Sequence, residues 1–130
     1  MKKIPFYELP KLITIGRLQF DGDKTDFCLN VEELFNWGGK TKKEYNAATK
    51  EIDAIKANGK GWRLYSWYDV SSYEYWMKQQ EEQNYIQITI RFDESYIMED
   101  EIENIVKALD DALAKADAIE YKYSYIPNNN

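Results

Sequence analysis

The sequence predicts a single α+β domain: a mostly antiparallel sheet of four to six strands with two or three helices packed on one face. Three observations carry this prediction. Ile86, Ile88, Ile90 and Phe92 alternate with Gln87, Thr89 and Arg91, the period of a half-buried strand. Ile102, Ile105, Val106, Leu109, Ala112, Leu113 and Ala116 recur at helical spacing within a segment covering about 99–117. The chain has 130 residues, 44% hydrophobic and 31% charged, an ordinary balance for one folded unit over 1–130.

Taken in order, residues 1–10 read as an irregular arm punctuated by Pro5 and Pro10. Leu12 to Phe20 is rich in β-formers, with Gly16 placed for a bulge. Asp21, Gly22 and Asp23 form a turn signal, and Phe27, Leu29 and Val31 alternate with Cys28 and Asn30, so a hairpin is expected here. Val31 to Trp37 reads as one helical turn before Gly38 and Gly39. Thr41 and Glu44 make a capping box ahead of Tyr45, Ala48, Ile52 and Ile55, which predicts a helix over 42–57 ended by Asn58 and Gly59.

Trp62, Leu64, Tyr68 and Val70 then alternate with Arg63, Tyr65, Trp67 and Asp69, a strand with large groups on both faces. Residues 71–84 fit two readings, a helix capped by Ser71 and Glu74 or a strand through Tyr73, Tyr75 and Met77. Tyr121, Tyr123 and Tyr125 alternate with polar residues and predict a last strand over 119–126. A right-handed crossover would set it parallel to the strand at 85–92 and make the sheet mixed. Residues 127–130 read as a disordered tail.

The chemistry-bearing residues point away from catalysis. The chain has no His, so Ser–His and Cys–His nucleophile systems have no base. One Cys and no His also leave zinc without its usual ligands. Cys28 has no basic cluster nearby and reads as a small buried hydrophobe. Gly38, Gly39, Lys40 and Thr41 resemble the end of a phosphate loop, but Leu34 stands where that loop needs Gly. Asp21, Asp23, Thr25 and Glu32 match calcium-loop positions, but Asp26 replaces the required Gly. The carboxylate pairs Asp110–Asp111 and Glu81–Glu82 are expected to face solvent with ordinary acidity. The expectation is a non-enzyme with no cofactor and no metal.

Net charge is −6 and unevenly spread. Residues 1–70 carry 12 Lys/Arg against 10 Asp/Glu, and residues 71–130 carry 5 against 13. The acidic half repels phosphates, which argues against direct nucleic-acid binding, and it suits a partner with a basic surface. Glu99, Asp100 and Glu101 stand at a helix start, where the macrodipole favours anions. Glu103–Lys107 and Asp111–Lys115 are favourable i,i+4 pairs. Glu103, Asp110 and Asp117 lie seven apart on one outer line, extended by Glu120. A solvated face explains these residues structurally, and docking on a basic protein surface is the functional alternative. Arg63, Tyr65 and Trp67, with Tyr73, Tyr75 and Trp76 nearby, have the composition of an interface hot spot or of a covered core strand.

The function expected from these features is a non-enzymatic protein-binding module. Its concrete form is an acidic inhibitor of a nucleic-acid-handling enzyme, of the phage or mobile-element anti-defence (anti-CRISPR) type. One alternative is a small-molecule or carbohydrate-binding domain floored by the aromatic strand; another is a homodimeric structural protein. A single Cys suits a reducing compartment, and no run approaches the ~20 apolar residues of a membrane span, so a cytoplasmic setting is expected.

Overall fold

Period 2 and period 3.6 sort the chain into a sheet layer and a helix layer. The computed structural model describes residues 2–13, 20–23, 26–35, 37, 41–68 and 84–123. Strand β1 (Lys3–Pro5) leads through a 3-10 turn into the short helix α1 (Leu9–Leu12). Strands β2 (Phe20–Asp23) and β3 (Cys28–Phe35) follow, then helix α2 (Lys42–Asp53). Strands β4 (Lys56–Gly59), β5 (Trp62–Tyr68), β6 (Asn84–Phe92) and β7 (Tyr96–Met98) precede the 22-residue helix α3 (Ile102–Tyr123), which a 3-10 turn over Glu99–Glu101 introduces.

The main sheet has five strands in the order β2-β3-β6-β5-β4, and β1 pairs with β7 in a two-stranded sheet. Every pairing is antiparallel. The α+β class therefore holds, and among the described residues the helices cover one face of the sheet and no strand pair is parallel. Alternation decides which side each residue takes. Leu29, Val31, Trp62, Leu64, Ile86, Ile88, Ile90 and Phe92 are buried in one core with Tyr45, Ala48 and Ile52 of α2 and Ile105, Leu109, Ala112, Leu113, Ala116, Ile119 and Tyr123 of α3. Thr41 caps α2 as its sequence predicts, accepting the Glu44 N–H at 3.1 Å. Trp37 stacks on Tyr45 and meets Tyr68 edge-on, with centroids 5.6 and 5.4 Å apart.

Several sequence expectations are corrected. The N-terminal arm is not irregular packing. Ile4, Phe6 and Leu9 are buried, Phe6 stacks on Phe92 at 5.2 Å, and the Phe6 N–H donates to the Ser95 carbonyl. The first hairpin exists, but Phe20–Asp23 is strand and pairs with Val31–Cys28, so the turn falls later. Phe27 closes it at φ 52°, a left-handed conformation costly for an aromatic residue. Its carbonyl accepts the Phe92 N–H and its ring packs edge-on against Phe6.

Val31–Phe35 continues β3 and is not a helical turn, because Leu29 and Val31 extend the alternation against Ile90 and Ile88. Helix α2 stops at Asp53, and Lys56–Gly59 becomes a strand because it can pair with Trp62–Tyr65. No strand covers 119–123. Ile119 and Tyr123 continue the series Ile105, Leu109, Ala112, Ala116 at helical spacing, and burying them outweighs the tyrosine alternation. Tyr121 is 91% exposed as a result. The expected parallel crossover disappears with that strand.

The segment 71–83 with Tyr73, Tyr75, Trp76, Glu81 and Glu82, the Gly38–Lys40 loop, most of the Leu12–Phe20 strand, Thr25, Val70, Tyr125 and the 127–130 tail lie outside the described residues. No helix among the described residues is long and apolar enough to cross a membrane.

Candidate functional site

The residues that the sequence groups as one binding set fall on opposite sides of the molecule. Glu103, Asp110 and Asp117 are exposed on the outer side of α3, whose inner side is locked into the core. Seven residues of α-helix rise about 10 Å, so the line runs about 21 Å. It drifts by about 20° per seven residues. Glu120 is rotated about 60° from Asp117 by the helical period and is half-buried. Asp117 and Glu120 also interact within the chain. Neither Glu103–Lys107 nor Asp111–Lys115 closes to ion-pair distance. Lys122 instead reaches Glu51 of α2 at 3.4 Å. Glu103 and Asp110 are exposed and make no ion pair among the described residues. At the N-terminal end of the helix, Glu99, Asp100 and Glu103 line a shallow hollow of about 510 Å³ with Lys2.

Arg63, Tyr65 and Trp67 alternate with buried Trp62 and Leu64, which puts them on the side of the sheet away from the helices. Arg63 is exposed, Tyr65 is half-buried and Trp67 is 37% exposed. The strand register extends this surface with residues that the sequence set aside. Arg91 of β6 lies directly opposite Arg63, and Lys56 of β4 directly opposite Tyr65. Arg91 donates through Nε to the Tyr65 hydroxyl at 3.4 Å and through Nη1 to the Asp26 carbonyl at 3.2 Å. Both acceptors are neutral. The Tyr65 hydroxyl is also what raises the Arg91 guanidinium further above its ordinary value. Thr89 is buried beside this surface and donates to Asn30 Oδ1 at 2.9 Å. Cys28 is buried as a free thiol on the same side.

The concavity here is an open groove of about 370 Å³ lined by Lys56, Ala57, Asn58, Arg63, Leu64 and Tyr65. Trp67 does not line it. Only the pairing of β5 with β6 brings Arg91 to Arg63. Arg91 carries the same parity as Gln87 and Thr89 in the sequence, but nothing there states its partner.

One carboxylate is withdrawn from the acidic set. Glu101 is buried, and its Oε1 accepts the Lys60 N–H at 2.7 Å and Trp62 Nε1–H at 3.0 Å, while Oε2 accepts Asn104 Nδ2–H at 2.8 Å. The Lys60 N–H, then the Asn104 and Trp62 donors, hold its carboxyl below the ordinary value against the opposing effect of burial. Glu101 thus ties the β4–β5 turn to the start of α3. Gly59 makes room for it, since a Cβ there would lie 2.7 Å from Glu101 Oε1 and collide with the Trp62 ring.

No group of His, Cys, Asp or Glu able to hold a metal ion occurs among the described residues. Asp21, Asp23 and Glu32 lie on paired strands, with Asp21 opposite Asn30 and Asp23 opposite Cys28, a hairpin backbone and not a calcium loop. Comparison of the chain with protein-family models, with curated proteins and with solved structures gives no match.

Proposed function

We propose that the chain is a non-enzymatic protein-binding module that docks the outer face of α3 on a basic surface of a partner protein. The observation that supports it best is the line of exposed carboxylates Glu103, Asp110 and Asp117 on a helix whose other side is held by the core. A rigid row costs little ordering entropy when it docks, and its charge steers encounter with a cationic surface. A surface that normally holds nucleic acid presents Lys and Arg in such rows. The concrete form of the reading is therefore an acidic inhibitor of a nucleic-acid-handling enzyme, acting in the cytoplasm on behalf of a phage or mobile element. The lack of any His in the chain favours binding over acid–base or nucleophilic catalysis.

The test is affinity capture from host extract at low and high salt with the wild-type chain and the double variant Asp110→Lys, Asp117→Lys. The expected partner is basic, elutes at high salt, and associates more slowly with the variant, which stays folded because both positions are exposed on the helix and outside the core. A partner held equally at both salts and equally by both chains would overturn the acidic-face reading.

A further inference from the structure

We propose that the β4 edge of the sheet is a second binding site, one that takes an extended acidic segment of a partner protein as an added strand. The site does not use the carboxylates Glu103, Asp110 and Asp117, although α3 borders one of its two recesses.

Three observations converge on it. The first is backbone. Among the described residues β4 is the terminal strand of the five and pairs only with β5. The hairpin closes on Gly59 opposite Trp62 around the two-residue turn Lys60–Gly61, with Gly61 at φ +79°. A two-residue hairpin closes on a pair that exchanges both backbone bonds, and the next pair does not. Asn58 and Lys56 therefore direct their N–H and C=O groups outward, ready for another strand.

The second observation is the recesses on either side of that edge. On the open face lies the groove of about 370 Å³ lined by Lys56, Asn58, Arg63 and Tyr65. On the helix face lies a small recess of about 70 Å³ where Ala57 and Leu64 meet Ala108 and Ala112 of α3, with Asp111 and Lys115 also lining it. Successive side chains of an added strand point to opposite faces, so one recess receives every second residue and the other receives the residues between.

The third is charge. Arg63 and Arg91 are cross-strand partners, a like-charge juxtaposition that disfavours the sheet. Arg63 makes no ion pair among the described residues, while Arg91 hydrogen-bonds the Tyr65 hydroxyl and the Asp26 carbonyl and has the Asp26 side chain as a nearby partial counter-charge. Lys56 adds a third cation to the groove. A carboxylate arriving at alternate positions of a strand supplies the counter-charge that Arg63 lacks, and Arg can take it with two hydrogen bonds. A second copy of this chain fits poorly, since it would bring Lys56, Lys60 and Arg63 to the same seam.

The probe is a random octapeptide library displayed on phage and selected on the immobilised full chain, with a single-stranded oligo(dT) run in parallel. Enriched peptides should carry Asp or Glu at alternate positions and small apolar residues between them. Binding of a synthetic peptide from that set should slow hydrogen exchange at the Lys56 and Asn58 amides. Asn58→Pro removes an outward donor without taking a ladder bond, and should weaken the peptide at least tenfold. Arg63→Glu should weaken it as much and serves if the proline variant fails to fold. No enrichment, enrichment without acidic alternation, unchanged affinity in Arg63→Glu or in a folded Asn58→Pro, or binding of oligo(dT) without peptide would each overturn the proposal.

Discussion

On β6 the two faces of the sheet sit one residue apart and are held by different physics. Ile86, Ile88, Ile90 and Phe92 are sealed under α2 and α3, where non-directional apolar burial stabilises them. Gln87 and Thr89 are also buried, yet Thr89 is held by a directional bond to Asn30, and Arg91 by bonds to a hydroxyl and a carbonyl. The covered face tolerates no gap, because its cost scales with lost contacts. The other face relies on hydrogen bonds at Thr89 and Arg91 and carries the charged side chains of Arg63 and Arg91. Apolar burial and directional polar bonding are thereby separated across a single sheet.

The largest effect should come from breaking the covered face. Ile90→Ala removes a fully buried side chain at the centre of the sheet and should destabilise the chain by about 3 kcal/mol, measured by urea denaturation. A loss close to that of an exposed substitution would mean that the helix layer does not seal the sheet.

Next comes Glu101, the polar fixture on the helix side. Glu101→Ala leaves the Lys60 N–H and the Trp62 indole N–H without their acceptor and should cost about 2 kcal/mol. Its carboxyl titrates lower in the folded state than the ordinary 4.5, so the native chain binds this proton less readily than the unfolded chain. Its contribution is complete above that ordinary value and is lost as pH falls through the folded pKa. Glu101→Gln should flatten that part of the acid limb of the melting temperature against pH. An acid limb identical to that of the wild type would show that another carboxylate governs it.

The smallest effect belongs to the polar side. Thr89→Val keeps the shape but withdraws the donor from Asn30, and thermal melts should report a loss of about 1 kcal/mol. If it matched Ile90→Ala, the contrast between the two faces would fail.

Local pattern made much of this fold legible. The alternation at 86–92, the Thr41 cap and the α3 core stripe each depend on neighbours within a few residues, so they appear in the sequence directly. The misreadings share a cause. Lys56–Gly59, Lys3–Pro5 and Val31–Phe35 are strands because of partners that the sequence does not name: Trp62–Tyr65, Tyr96–Met98 and residues of β6. The tyrosine alternation at 121–125 misled because period 2 competes with period 3.6 over so short a span. The candidate surfaces divide in the same way. Glu103, Asp110 and Asp117 belong to one helix, so their line is visible from spacing alone. Arg63, Arg91 and Lys56 come from three strands, and only register assembles them.

The sequence by itself therefore determined the α+β class, the two long helices with their inner faces, the acidic line on α3 and the lack of histidine chemistry. Each is a property of composition or of short-range period. Tertiary structure alone decided that the acidic line and the Arg63–Tyr65–Trp67 strand lie on opposite sides, that Arg91 joins Arg63, that Glu101 is buried while its acidic neighbours are not, and that β4 stands at the sheet edge. Those are consequences of strand pairing between distant segments, where the choice of partner, and not the local pattern, sets which groups meet.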